Sequence, residues 1–379
     1  MMDYEALRFI WWLLIGVLLI GFVVTDGFDI GVAVLLKIIG KNNNQRRIMI
    51  NSIAPHWDGN QVWLVTAAGA LFAAWPTVYA AAFSGFYLAM MLTLFALFLR
   101  PIGFEYRAKI DDAAWREKWD WALTIGSAVP AVVFGIAFGN LLQGVPFQFD
   151  DILRLHYTGS FFALLNPFAL LVGVLSLLML VNHGATYLQL KTEDDLRARS
   201  EKISTILAAA CAVIFVLAGI WLYFAIDGYS VTSVIDTNGI NRTVEKTVTT
   251  AKGAWFNNYA KWPLLWLVPA LGVLGFILSS IASAAKRHIL AFISSAIAIA
   301  MVVLTFGVSM FPFIMPSSSM PNHSLTMWDA TASESSLMIM FIVACIFVPI
   351  VLLYTAWSYF VMRGRLNEQH IKDNSNSLY

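Results

Sequence analysis

Two aspartates interrupt one of the most apolar stretches of the sequence. Asp26 and Asp29 lie in "VVTDGFDIG", which follows the apolar run "FIWWLLIGVLLIGF" and precedes "VAVLL". Their three-residue spacing places both carboxyl groups on one face of a helix. Acids inside a membrane are costly and commonly mark proton or ion pathways. A helix cap near the membrane surface is the structural alternative, but the apolar residues that continue after Asp29 favour a functional role.

A second polar cluster stands at the start of the next apolar stretch, in "NSIAPHWDGNQVW" at 51–63. Such a segment is too polar to face lipid, so it should line a protein interior or a water-filled cavity. His56 and Asp58 could relay protons, because a histidine between carboxylates titrates near neutral pH. A purely structural hydrogen-bond network between helices is the alternative. Pro55 predicts a break in the helix at this point.

The positions of these acids along the chain suggest a route. Asp26 and Asp29 lie toward the inner end of one predicted helix, and Asp58 lies in the inner part of the next. We therefore expect the three carboxylates to meet on the inner side of the membrane. Glu105, in "RPIGFEYR", follows the third apolar stretch and would stand at the mouth of the same route.

The remaining histidines and the cysteines give weaker signals. His183 lies at the inner end of an apolar run and could ligate a haem, but a lone histidine is more often a satisfied core group. His156, His288, His323 and His370 are interpreted as surface residues. Cys211 and Cys345 fall within apolar runs and are predicted to be buried thiols without a disulfide. We predict no metal site on this chain.

Composition identifies the elements that must position these residues. Of 379 residues, 59% are hydrophobic and 12% are charged, whereas a soluble domain carries about 25% charged residues. The chain is therefore predicted to be an all-α polytopic membrane protein. The net charge of +1, without a basic block, argues against nucleic acid as a partner. The amino-terminal "MMDYEALRF" lacks the features of a signal peptide, so we expect an uncleaved first span.

Nine apolar stretches are long enough to cross a bilayer, which takes roughly 20 helical residues. They form a single integral membrane domain over 1–379. The predicted spans are 9–37, 50–74, 77–99, 120–142, 161–182, 204–226, 263–284, 289–311 and 336–360. The alternating Val and Thr residues within 227–262 suggest a small β-hairpin between spans.

Lys and Arg residues orient the spans. With the amino terminus outside, the inner segments hold 18 of the 24 basic residues and the outer segments hold 6. We therefore predict an outer amino terminus and a cytoplasmic tail at 361–379. A weak internal repeat aligns 14–29 with 171–186 and places Asp26 opposite His183. It suggests two four-helix units, at 1–142 and 161–311, plus a peripheral ninth helix at 336–360.

Six motifs resemble those of the subunit II family of cytochrome bd ubiquinol oxidases, and the resemblance runs over nearly the whole chain. They are "TDGFDIG", "NSIAPHWDGNQVWL", "RPIGFEYR", "GNLLQGVPF", "MFPFIMPSS" and "SLTMWDA". The resemblance implies one subunit of a respiratory-chain complex in the bacterial inner membrane. That complex oxidises quinol, reduces O₂ to water and generates a proton gradient.

The resemblance also implies a division of labour between subunits. Two b-type haems, the haem d and the quinol site belong to subunit I, and small single-span accessory subunits also join the complex. Subunit II would supply a scaffold, a bound structural quinone, an oxygen route at Trp63 and a proton path. The acids that match the proposed path are Asp26, Asp29, Asp58 and Glu105; some relatives have Asp in place of Glu105. We add His56 to the predicted path because of its position in the second polar cluster.

Two alternatives remain open at this point. A proton-coupled secondary transporter would also carry acids inside the membrane, together with broken helices. A passive scaffold subunit would need the polar residues only for folding, and neutralising Asp58 would then leave turnover intact.

Overall fold

A computed structural model of the chain describes residues 2–367. Most of the predicted cytoplasmic tail, including His370, lies outside the described residues. Twelve helices account for most of this part of the chain, and three short antiparallel hairpins connect some of them. The helices are α1 Tyr4–Ile39, α2 Asn43–Ile53, α3 Trp57–Ala74, α4 Pro76–Gly85, α5 Tyr87–Tyr106, α6 Ala113–Gln143, α7 Pro167–Lys191, α8 Asp194–Ala225, α9 Asn257–Lys261, α10 Leu267–Ala284, α11 His288–Met310 and α12 Glu334–Val361.

The predicted all-helical membrane fold is confirmed, although the count of spans differs from nine. Within residues 2–367, eight helical segments are long and apolar enough to cross a membrane. The predicted second span, 50–74, divides into α2 and α3 around Pro55, and α3 begins with the polar residues of the second cluster. The predicted third span, 77–99, is interrupted at Phe86, where α4 ends and α5 begins.

Two long helices, α1 and α7, cross in close contact at the centre of the molecule. A Cβ atom added to Gly31 of α1 would overlap the carbonyl oxygen of Leu180 and lie 2.9 Å from the Cα atom of Gly184 in α7. A Cβ atom on Gly184 would lie 2.5 Å from backbone atoms of Gly31 and Val32. Small residues let membrane helices approach to backbone contact, which replaces the hydrophobic effect as a source of packing energy in lipid.

The other spans pack around this crossing. Helices α3 and α6 contact α1, and α5 packs on α6. Helices α8 and α11 contact α7, and α10 packs between α8 and α11. This arrangement is compatible with two four-helix units, whose boundaries stay a prediction. Helix α12 lies at the periphery, because Leu337 is its only buried residue and its contacts are with α1 and α3.

One end of the molecule carries the connecting hairpins. They are β1 Phe147–Phe149 with β2 Leu155–Tyr157, β3 Asp227–Val231 with β4 Val248–Lys252, and β5 Phe313–Met315 with β6 Leu325–Thr326. The hairpin suggested within 227–262 is thus confirmed. The start of α1 lies at this end, because Arg8 donates hydrogen bonds to the carbonyl oxygens of Thr237 and Gly239. Lys246 forms a buried ion pair of 2.7 Å with Asp329, which joins two of the loops.

The opposite end holds the other chain terminus of the described region. The backbone N–H of Leu366 donates to the carbonyl oxygen of Lys191 at the end of α7. Arg199 of α8 donates to the carbonyl oxygen of Ile39 at the end of α1. The end of α12, the end of α7 and the end of α1 therefore lie together, away from the hairpins.

The α1–α7 contact predicts that replacing two glycines of α1 by alanine has different effects on the stability of the protein. Gly31→Ala should destabilise the detergent-solubilised protein by about 1–3 kcal/mol, because the added methyl group has no room against α7. Gly16→Ala should not destabilise it, because no atom lies within 4 Å of a Cβ atom at that position. Thermal unfolding of both variants measures the difference, and equal midpoints would show that the crossing is not closely packed.

Candidate functional site

The acid pair of α1 meets an arginine inside the membrane region. The carboxylate of Asp26 accepts two hydrogen bonds from the guanidinium of Arg100 in α5, at 2.6 Å and 2.9 Å. Both residues are fully buried. Arg100 therefore supplies the cation that two acids on one helix face require. The predicted third span ends at residue 99, before Arg100, and this was wrong: α5 continues to Tyr106.

Asp29 has a different environment from Asp26. Its Oδ2 atom accepts a hydrogen bond of 2.7 Å from the side-chain amide of Asn60 in α3. Its Oδ1 atom is buried and has no hydrogen-bond partner within the described part of the chain. A buried carboxylate oxygen without a partner is rare, because its desolvation costs free energy that no contact offsets. Asp29 is therefore the acid that is poised to change its proton or its partner.

Helix α12 completes the network. The hydroxyl group of Tyr359 donates a hydrogen bond of 2.6 Å to Oδ1 of Asn60. The ring of Tyr359 stacks on the imidazole of His56, with centroids 4.2 Å apart and planes 9° from parallel. His56 is buried. The structure thus brings Asp26, Asp29 and His56 into one region, together with groups from α3, α5 and α12.

Two of the predicted site residues lie elsewhere. Asp58 is exposed on α3, and it stands two residues from Asn60, so the two side chains project from different faces of the helix. The expectation that Asp58 meets Asp26 and Asp29 is therefore wrong within this chain. Glu105 is likewise exposed, near the inner end of α5. Both carboxylates lie on surfaces that another chain can cover.

Trp63 is half-buried on α3 and packs against α1. A Cβ atom on Gly21 would lie 2.5 Å from the ring of Trp63, so glycine makes room for the indole. The indole therefore sits in a narrow contact between α1 and α3.

Sequence reasoning missed three residues of this region. Arg100 follows an apolar run and was interpreted as the first loop residue. Tyr359 is one of many aromatic residues in the last span and had no distinguishing signal. Asp120 is buried in α6 and binds Arg107 at 2.6 Å and Arg46 at 2.9 Å, near the inner ends of the helices. Its position at the predicted start of a span was the only available hint.

Four of the five histidines in the described residues hydrogen-bond through a ring nitrogen, and the fifth, His56, stacks on Tyr359. Both ring nitrogens of His183 are engaged, with the Ser295 hydroxyl at 2.7 Å and the Val24 carbonyl oxygen at 3.0 Å. As placed, this histidine offers no free nitrogen to a haem iron. The others engage local partners: His156 contacts Asp150, His288 contacts Glu201, and His323 accepts from the Phe149 backbone. His156 is exposed, whereas His288 and His323 are half-buried.

The cysteines are both free thiols. The prediction of burial is correct for Cys211 and wrong for Cys345, which is exposed on α12. Among residues 2–367, no three His, Cys, Asp or Glu side chains are grouped in a way that could hold a metal ion.

An apolar cavity of about 400 Å³ lies between α5 and α6 near the hairpin end. Its walls include Phe86, Ala89, Val133, Phe161 and Leu164, and no polar side chain lines it. The cavity can hold a hydrocarbon chain but offers nothing to orient a polar group.

Comparison with known families identifies the molecule that contains this network. Residues 7–362 match the model of the cytochrome bd terminal oxidase subunit II family. The chain belongs to this family. The family assignment also removes the secondary transporter from consideration.

Similar proteins agree with this assignment. The chain is 56% identical to the cytochrome bd-I ubiquinol oxidase subunit 2 of Escherichia coli K12 over 379 residues, which is 100% of both chains. It is 32% identical to the Bacillus subtilis cytochrome bd ubiquinol oxidase subunit 2, over 96% of this chain and 98% of that one. The bd oxidase structure from Geobacillus thermodenitrificans has the same fold, with a TM-score of 0.65 at 13% identity, covering 95% of this chain and 98% of that one.

The Asp26–Arg100 pair generates a prediction for this subunit II chain. Arg100→Gln should destabilise the assembled complex by about 3–5 kcal/mol, because the substitution leaves a buried carboxylate without its counter-charge. The double variant Asp26→Asn, Arg100→Gln should recover part of the loss, since it removes both charges. Thermal unfolding of the purified complex provides the measurement.

The matched control is Arg116→Gln, which breaks an ion pair with the fully exposed side chain of Asp111. This variant should unfold like the wild type, since exposed pairs contribute little. A destabilisation equal to that of Arg100→Gln would contradict the assignment of a special role to the buried pair.

Proposed function

We propose that this chain is subunit II of a bd-type quinol oxidase that supplies protons from the cytoplasm to the oxygen-reducing partner subunit. The complex is a quinol:oxygen oxidoreductase. Reduction of O₂ to water consumes protons, and apolar helices cannot carry them through a membrane. The observation that carries the proposal is the buried carboxylate of Asp29, which has one hydrogen-bonded oxygen and one oxygen without a partner.

The electrostatics of the network assign different roles to the two acids of α1. Arg100 binds both oxygens of Asp26 in a buried ion pair, so this carboxylate cannot change its partner without breaking that pair. Asp29 has only the neutral amide of Asn60 as a donor, so its proton can be exchanged without breaking an ion pair. We assign the proton-carrying role to Asp29, with His56 stacked on Tyr359, which hydrogen-bonds the Asn60 amide that binds Asp29.

Asp58 and Glu105 form the second part of the proposed path, at the surface between subunits. A carboxylate on a lipid-facing helix costs about 2.5–3.5 kcal/mol, so the face of α3 that carries Asp58 is better suited to protein than to lipid. Helices of the haem-bearing subunit I would cover this face. Protons would then enter at Glu105 and pass along the interface by way of Asp58.

Oxygen access is a further part of the proposal. The resemblance of "DGNQVWL" to the family implies an oxygen route at Trp63, whose indole packs on Gly21 of α1. We propose that O₂ dissolved in the bilayer reaches the partner along this contact between α1 and α3.

The cofactors are assigned to the complex as a whole. Two b-type haems and a haem d would be held by subunit I, since both ring nitrogens of His183, the histidine that could have ligated a haem, already have partners. The apolar cavity between α5 and α6 would hold the isoprenoid tail of a bound structural quinone. Small single-span accessory subunits and membrane lipid would cover the exposed surface of helices such as α12.

We also propose an orientation of the chain in the membrane, based on the distribution of basic residues. The excess of basic residues in alternate segments places the amino terminus outside and the tail in the cytoplasm of a bacterium, with the hairpins in the periplasm. The grouping of the start of α1 with the hairpins supports this assignment, because these segments then share the outer face.

Neutralising the acids tests the proposal against a passive scaffold. In membranes that contain both subunits, Asp29→Asn and Asp58→Asn should each lower quinol-driven O₂ uptake at least tenfold while the reduced-minus-oxidised haem spectrum stays normal. The reason is that asparagine keeps the shape and loses the exchangeable proton. Asp151→Asn, an exposed acid of an outer loop, serves as the control and should leave uptake unchanged.

The result can contradict the proposal in a clear way. Wild-type uptake in both Asp29→Asn and Asp58→Asn, with normal haems, would leave a scaffold as the role of this chain. A loss of O₂ uptake in Asp29→Asn alone would assign the path to the buried network. A loss of O₂ uptake in Asp58→Asn alone would assign it to the subunit interface.

A further inference from the structure

We propose that Tyr359 of α12 is a positioning residue for Asp29 and acts through the side-chain amide of Asn60. Its hydroxyl group fixes the orientation of that amide, so that the NH₂ group faces the buried acid. The inference rests on the proposed proton path and adds to it a residue on a different helix, at the periphery of the fold.

The hydrogen bonds run in one direction through the three side chains. The Tyr359 hydroxyl donates to Oδ1 of Asn60 at 2.6 Å, and Nδ2 of Asn60 donates to Oδ2 of Asp29 at 2.7 Å. An ionised carboxylate only accepts hydrogen bonds. A flipped amide would bring its oxygen against the Asp29 oxygen, and two acceptors at that distance repel. The observed orientation is therefore the one that stabilises ionised Asp29.

Tyr359 is the partner that holds this orientation. Asn60 is only 2% exposed, so water cannot readily replace a missing side-chain partner. Within residues 2–367 the hydrogen bonds of the Asn60 amide group are these two. Without the tyrosine hydroxyl, Oδ1 would be buried without a partner, and the amide would lose its preference for one orientation.

The tyrosine ring is itself held in place. It stacks on His56 and meets Phe28 of α1 edge to face, with centroids 6.4 Å apart. These contacts lie near the inner end of α12, whereas Leu337, the one buried residue of this helix, lies near its other end. Tyr359 is therefore the specific contact by which the inner half of α12 joins the network of Asp29.

The experiment removes the hydroxyl and keeps the ring. In the complete complex, Tyr359→Phe should lower the maximal rate of quinol-driven O₂ uptake about threefold to tenfold, the effect of losing one hydrogen bond to a buried amide. The KM for quinol and the haem content should stay unchanged, because the quinol site and the haems belong to the partner. The matched control is Tyr354→Phe on the exposed face of the same helix, which should behave like the wild type.

A double-variant cycle distinguishes action through Asn60 from an independent effect. The variant that combines Tyr359→Phe with Asn60→Ala should be no slower than Asn60→Ala alone. The inference would be overturned by additive losses in the double variant or by wild-type rates in Tyr359→Phe. Loss of haem in Tyr359→Phe would also overturn it, because the hydroxyl group would then serve assembly.

Asp29→Asn, measured in the same membranes, separates this inference from the proposed function. A slow Asp29→Asn with a fast Tyr359→Phe would overturn the positioning role and leave the proton path intact. A fast Asp29→Asn would overturn the path itself, and a slow Tyr359→Phe could then not be attributed to Asp29. Slow rates in both, with no additional loss when they are combined, would support both proposals.

Discussion

The ion pair between Asp26 and Arg100 is the interaction on which the half of the molecule away from the hairpins depends. Neither charge can remain alone in a region without water, because the desolvation of an unpaired buried ion costs several kcal/mol. The guanidinium group has the fork geometry that satisfies both oxygens of one carboxylate, and two of its nitrogens bind Asp26 in this way. One cation therefore neutralises one acid and leaves the neighbouring Asp29 with a neutral donor.

Close helix packing makes this arrangement possible. Gly31 and Gly184 allow α1 and α7 to touch along their backbones, two residues beyond Asp29 in α1. His183 lies at the same crossing and is satisfied by Ser295 and by the Val24 carbonyl. In the weak sequence repeat, His183 corresponds to Asp26. The two helices thus present one polar residue each near the crossing: an acid that needs a cation, and a histidine that Ser295 of α11 and the Val24 carbonyl of α1 satisfy.

The sequence predicted the membrane class, most of the spans, one hairpin and the buried location of Asp26 and Asp29. It did not predict which groups meet them. Arg100 ends an apolar run, where a cation is normally at the surface, and only tertiary packing reveals that α5 continues past it. Asp58 and Asn60 belong to one polar cluster, and their two-residue spacing divides them between faces once α3 forms. The role of Tyr359 depends on a contact 299 positions away in the sequence, which no local pattern encodes.

Exposed charge explains why this chain needs a partner. The fold itself is shared with a bd oxidase structure at 13% identity, so the helix arrangement tolerates wide change in side chains. Within residues 2–367, the buried side-chain atoms of this network that lack a hydrogen-bond partner are Oδ1 of Asp29 and Nε of Arg100. Asp58, in contrast, projects outward from α3, where lipid would oppose its charge and a second protein could pair or hydrate it. The chain thus carries a buried ion pair, a buried acid with one oxygen that lacks a partner among residues 2–367, and an exposed acid on α3.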